Sequence, residues 1–215
     1  MEPEIPVPAP RRRSLVAAFF DNTFLLLGLT FLAWGIELVD WVLGHYLDNS
    51  FGIRPRDVTG LSGILTAHWL HGGPKHLISN TLPFLMLGGF VLLGGKKLFW
   101  KVTLFVALIG GGLLWLLGGS GENHIGASLV IFGYLGFLLA RGFFERSGLW
   151  ITVSVVTLLL YGGMIFGILP GQEGVSWMGH LFGFFCGIAA AKALVPKNIP
   201  IYRVEGRNVT FTEHV

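Results

Sequence analysis

The chain has 215 residues, 53% of them hydrophobic and 13% charged, with a formal net charge of +3 and a mean hydropathy of +0.68. This is far from a water-soluble average and marks an integral membrane protein, and so small and scattered a charge excludes a nucleic-acid partner. The one cysteine, Cys186, lies inside an apolar run, which excludes an intramolecular disulfide and a thiolate-based metal site.

Residues 1–20, MEPEIPVPAPRRRSLVAAFF, are proline-rich and then tribasic, and read as a cytoplasmic tail rather than a cleaved signal peptide. Apolar runs follow near 23–47, 77–95, 98–118, 126–142, 150–169 and 176–195. Each approaches the roughly 20 residues a helix needs to cross a bilayer. The fold expected is an all-α polytopic membrane protein with six transmembrane helices between residues 21 and 195. Residues 48–75 are too polar to span; with GIRPRD and Gly/Pro turn signals they form a long first loop. Residues 196–215 form a polar C-terminal tail, where the sequon Asn208-Val-Thr210 is a chance match if that tail is cytoplasmic.

Basic residues orient the spans. Arg11, Arg12 and Arg13 precede the first; Lys96, Lys97 and Lys101 lie between the second and third; Arg141 and Arg146 follow the fourth; Lys192, Lys197, Arg203 and Arg207 close the chain. Only Arg54, Arg56 and Lys75 fall on the other side, so the positive-inside rule places both termini in the cytoplasm. The first loop is then extracytoplasmic, and the second, fourth and sixth spans all start at the outer face. Their first turns carry the unusual residues: His76 and Asn80 in HGGPKHLISN, Ser128 in GASLVIFG, and His180 in SWMGHLFGFFCG.

Alone, each has an ordinary explanation, since membrane serines bond their own helix and a lone histidine is commonly a satisfied core group. Their convergence at one depth is what points to chemistry. A serine hydroxyl becomes a nucleophile when an imidazole takes its proton, and Ser128 with His180 supplies that pair. No aspartate occurs after Asp57, so a dyad is the economical reading. His76 and Asn80 can donate to an oxyanion, as can free N–H groups at the helix start beside Ser128. Phe132, one turn below Ser128, can stack on His180. Gly126, Gly183 and Gly187 allow close backbone approach. No His-Glu-x-x-His pair or acidic partner stands at ligand spacing, so neither metal nor cofactor is expected.

The set HGGPKHLISN, GAS and GHLFGFFCG, in that order along six spans, resembles the rhomboid family of intramembrane serine proteases over roughly residues 20–195. The resemblance implies cleavage of transmembrane protein substrates, within the lipid bilayer and near its outer face, by a Ser128–His180 dyad with His76 and Asn80 as oxyanion donors. It adds His71 as a loop-organising residue and matches Gly126, Gly183 and Gly187 to the family's glycine positions. The expected location is a bacterial plasma membrane. Two departures stand out: Leu129 follows the serine where glycine is frequent, and the first loop has GIRPRD in place of a frequent Trp-Arg pair. Arg54 or Arg56 could then pin the loop, with Glu37 or Asp40 as partner. Three other readings compete. An inactive rhomboid-like protein that binds or chaperones membrane clients would normally lack the serine or the histidine. A transporter would carry polar groups through the whole depth, and a metalloenzyme lacks its ligand pattern. Oligomeric state and substrate identity are not legible.

Overall fold

The computed structural model describes residues 15–172 and 174–194. Apolar composition without strand signals produces a helical bundle; among the described residues the extended pairing is limited to one isolated antiparallel bridge, Ile53 to His124. Helix α1 covers Leu15–Val42 and ends where Gly44 and His45 both take left-handed backbone angles, φ 66° and 63°. The expected first span, 23–47, therefore stops short at this corner, and a separate short helix α2, Tyr46–Phe51, follows. The first loop continues through a 3-10 turn at Val58–Gly60, helix α3 at Gly63–Thr66 and a second 3-10 turn at Ala67–Trp69.

Helix α4, Pro74–Leu92, opens with proline at its first position, where the missing N–H costs nothing. Helix α5, Lys96–Phe105, passes through a widened π-helical turn, Val106–Gly110, into α6, Gly111–Leu117. Helix α7 is Ser128–Glu145; α8, Gly148–Tyr161, tightens into a 3-10 segment at Gly162–Ile168; α9 is Trp177–Leu194. Five of these stretches are long and apolar enough to cross a membrane: Asn22–Val42, Lys96–Leu117, Ser128–Glu145, Gly148–Ile168 and Trp177–Leu194. The second expected run, 77–95, is α4, whose opening turns carry Lys75, His76, Ser79, Asn80 and Thr81 and dilute its hydropathy. The terminal tails, with Arg11 to Arg13, Lys197, Arg203, Arg207 and Asn208, lie outside the described residues.

Helix α7 is the hub, 67% buried along its apolar window against 11% for the α8 span. It packs most extensively on α9, and also on α4 and α8. In lipid there is little hydrophobic force between helices, so close backbone approach and dispersion hold such a bundle together. Glycines permit that approach. A Cβ at Gly183 would overlap the Leu129 carbonyl, one at Gly187 the Gly133 carbonyl, and one at Gly136 the Phe184 carbonyl. Large apolar residues such as Phe31, Val42 and Leu159 face outward, as a lipid-exposed surface requires.

Two details differ from the sequence reading. Arg141 does not follow the fourth span but lies within α7, 5% exposed, paired with Glu145 at 2.8 Å and stacked 3.2 Å over the Trp150 ring. The loop arginines do not reach Glu37 or Asp40, because both acids turn inward from α1. Arg54 instead binds the Asn49 carbonyl at 2.8 Å, Thr59 Oγ1 at 2.7 Å and Asp57 at 3.3 Å. Arg56 ties the loop to the end of α6 through the Leu116 carbonyl at 3.0 Å and through Ser120.

Candidate active site

The starts of α4, α7 and α9 enclose a cavity of about 920 Å³. His76 and Asn80 from α4, Ser128 and Phe132 from α7, and His180 from α9 all line it. Five residues from three separate sequence motifs thus meet on one space. Gly126, His71, Gly183 and Gly187 do not line it; the first two pack against the His76 ring, and the last two against the α7 backbone.

His180 is held from two sides. Its ring stacks on Phe132, centroids 4.0 Å apart and planes inclined by 8°. Its Nδ1 lies 3.0 Å from the carbonyl of Gly167, at the end of the 3-10 segment after α8. A carbonyl only accepts, so Nδ1 carries the proton and the neutral ring presents an unprotonated Nε2. Gly167 must itself be small: a Cβ there would lie 2.9 Å from Phe132 Cζ and 3.3 Å from His180 Nδ1. Sequence reasoning missed this residue, and no signal could have revealed it, because every residue carries a carbonyl.

Ser128 is the first residue of α7, so the N–H groups of the opening turn have no partner within the helix. The Leu129 side chain is buried against Gly110 and is not among the residues that line the cavity. Among the described residues Ser128 makes no hydrogen bond to His180, although both line one cavity. Catalytic hydrogen bonds often close only when substrate arrives.

His76 accepts the Gly72 N–H on Nδ1 at 3.4 Å, which leaves the proton on Nε2. The same ring sits against Gly126, where a Cβ would come within 2.8 Å of Nε2. Gly126 also has φ 114°, so this position needs glycine on both counts. Asn80 uses one amide hydrogen on the His76 carbonyl, 3.0 Å away, and keeps the other. His71 lies behind, its ring edge-on to His76 at 5.2 Å and its Nε2 accepting the Ala127 N–H at 3.4 Å. Burial, reinforced by His76, pushes the His71 pKa down to about 4, so it stays neutral at physiological pH.

The first loop is the platform for all of this. The amides and carbonyls of Ile53 and His124 exchange two hydrogen bonds of 2.9 Å, and Gly126 N–H donates to the Ala67 carbonyl at 2.9 Å. The chain before Ser128 is thereby held in an irregular path beside a cavity, the setting in which membrane proteins tolerate non-helical backbone. A second polar chain, unforeseen in the sequence, lines the same cavity. His124 Nδ1 lies 2.8 Å from Ser176 Oγ, and His124 Nε2 lies 3.1 Å from Glu122. Ser176 also accepts the Gly179 N–H at 3.3 Å, so it caps α9. Burial of His124 outweighs the nearby carboxylate and holds its pKa below the usual imidazole value. The sequence did carry a signal for Ser176, a serine three residues before a glycine at a helix start.

The rhomboid domain family model matches residues 58–197. An uncharacterized protein of Mycobacterium tuberculosis is 43% identical over 176 residues, covering 77% of this chain and 73% of its own, and one of Mycobacterium leprae is 43% identical with 77% and 69% covered. Rhomboid-type serine protease 2 of Emericella nidulans is 30% identical over 130 residues, 56% of this chain and 24% of that protein. With its helical membrane bundle and its cavity at the heads of α4, α7 and α9, the chain belongs to the rhomboid family.

Proposed function

We propose that the protein is an intramembrane serine endopeptidase that cleaves transmembrane proteins near the outer membrane face, with both termini in the cytoplasm of a bacterial cell. The observation that carries the reading is the arrangement of His180: Nδ1 committed to the Gly167 carbonyl and Nε2 free in the cavity that Ser128 lines. In the reaction Ser128 Oγ attacks the scissile carbonyl while His180 Nε2 takes its proton. The oxyanion accepts from His76 Nε2–H, the free Asn80 amide hydrogen and the α7 amides. His180 then protonates the leaving amine, and water entering the cavity hydrolyses the acyl-enzyme with the same base. His71 orders the chain before Ser128, and Gly183 and Gly187 bring α9 to α7.

The test is covalent labelling. Purified protein treated with a fluorophosphonate should carry the adduct on Ser128 and not on Ser176, whose Oγ is held at the start of α9 by the Gly179 N–H and the His124 ring. Asn80→Ala should lower turnover by about 10- to 1,000-fold, the range for one oxyanion donor, and still label. The missing Ser128–His180 hydrogen bond favours one other reading, a protein that binds membrane clients without cutting them. Absence of any adduct on Ser128 in folded protein would establish that reading instead.

A regular helix hides its peptide carbonyls against the neighbouring turn, so the substrate must unwind locally. Gly and Pro lower helix stability by about 1 and 3 kcal/mol relative to Ala. A helix breaker moved stepwise through an inert transmembrane segment should therefore produce cleavage only in the outer third, with product ends mapped by mass spectrometry. Cuts on the cytoplasmic side would overturn the orientation drawn from the basic residues.

A further inference from the structure

The corner between α1 and α2 gathers three polar side chains outside the active site. Asp40 is in the last turn of α1, His45 in the left-handed corner and Asp48 in the first turn of α2. Asp40 and Asp48 are buried, with side chains 1% and 7% exposed, and His45 is 46% exposed. Each offers one ligand atom, and these atoms lie within 4.8 Å of one another. His45 Nδ1 is 3.3 Å from Asp40 Oδ2 and 3.6 Å from Asp48 Oδ2.

Asp40 Oδ1 is committed, accepting the Leu47 N–H at 2.6 Å and the Asp48 N–H at 3.4 Å. The remaining oxygens are not satisfied: Asp40 Oδ2 and Asp48 Oδ1 are buried without a hydrogen-bond partner. Among the described residues no lysine or arginine stands within ion-pair range of Asp40 or Asp48, and His45 is their one ionisable nitrogen neighbour at that range. Buried carboxylates with unused oxygens are costly unless paired or bound to a metal.

We propose that Asp40, His45 and Asp48 form a divalent transition-metal site, suited to Zn²⁺, that clasps the α1–α2 corner. Around a tetrahedral Zn²⁺ with bonds of about 2.0–2.1 Å, ligand atoms stand about 3.3 Å apart, close to the separations from His45 to each carboxylate. Two carboxylates and a neutral imidazole carry two negative charges, which the ion neutralises. The mixed oxygen and nitrogen set suits Zn²⁺ better than Ca²⁺ or Mg²⁺, which prefer oxygen alone. The exposed flank of His45 leaves the fourth position to water. No helical spacing announces the site, because residues 40, 45 and 48 share a locality only after the chain breaks at Gly44 and His45. The corner is also joined to the active-site loop: Asn123 donates to the Asp48 carbonyl at 2.8 Å, so the ion would steady the stretch leading to Ser128.

The experiment uses the full chain in detergent, freed of any affinity tag, stripped with EDTA and then equilibrated with Zn²⁺. Elemental analysis should find about one Zn²⁺ retained per chain, with a higher unfolding temperature than the stripped protein. His45→Ala and Asp48→Asn should each weaken binding by at least about tenfold, since even partners one shell further out cost that much. The half-exposed His45→Ala should unfold like wild type in metal-free buffer, so its effect on retention is separable from folding. Absence of retained Zn²⁺, or retention unchanged in His45→Ala, overturns the proposal. So does a wild type that binds no metal while Asp48→Asn raises its metal-free stability, the signature of a carboxyl pair sharing a proton. Since metal content is read directly, the result stands apart from whether Ser128 is catalytic.

Discussion

Ser128→Ala should abolish cleavage of a model transmembrane substrate while the chain remains folded in the membrane, and His180→Ala should do the same. In acyl transfer by a serine and its base, removing either member costs on the order of 10⁶ in kcat, because the two act as a unit. For the same reason the double variant should be no slower than either single one. Ser128 is partly exposed to the cavity and its hydroxyl makes no hydrogen bond to another described residue, so its truncation leaves no buried partner behind. His180→Ala loses the Phe132 stack and the Gly167 hydrogen bond as well. Thermal unfolding of both variants beside wild type separates lost chemistry from lost structure. Turnover retained by purified Ser128→Ala would sink the mechanism.

Gly183→Ala should produce the second largest effect without touching any reacting group. Its Cβ would overlap the Leu129 carbonyl, and backbone cannot rotate away as a side chain can. Helices α7 and α9 must separate, at about 1–3 kcal/mol for overpacking a well-packed contact. The separation moves His180 relative to Ser128, and a misplacement of about 1 Å can cost on the order of 100-fold in rate. Gly112→Ala is the control, since a Cβ there meets nothing within 4 Å. Activity and unfolding temperature measured in parallel should fall for Gly183→Ala and hold for Gly112→Ala. Equal behaviour of the two would mean that the α7–α9 contact is not what sets the site.

Composition and periodicity were sufficient to read a helical membrane protein, because lipid leaves a chain few ways to satisfy its backbone. The residues of the cavity were legible for a related reason: His76, Asn80, Ser128 and His180 are polar groups where apolar ones are the default, and each stands in the first turns of its helix. What the sequence could not carry lies in backbone geometry and in turns. The corner at Gly44 and His45 ends α1 early, and the inward turn of Asp40 removes it from the reach of Arg54. Arg141 reads as a loop charge by position, yet α7 runs on to Glu145 and buries it against Trp150.

By itself, then, the order of residues determined which side chains stand in the first turns of α4, α7 and α9, since hydropathy sets where a helix starts and 1.5 Å of rise per residue sets the depth along it. Only the tertiary structure decided their chemical state. The Gly167 carbonyl puts the proton of His180 on Nδ1, and the Gly72 amide puts that of His76 on Nε2. Both partners are backbone atoms, Gly167 from the segment after α8 and Gly72 from the turn that opens α4. Such atoms are the same in every residue, so their contribution depends entirely on where the fold brings them.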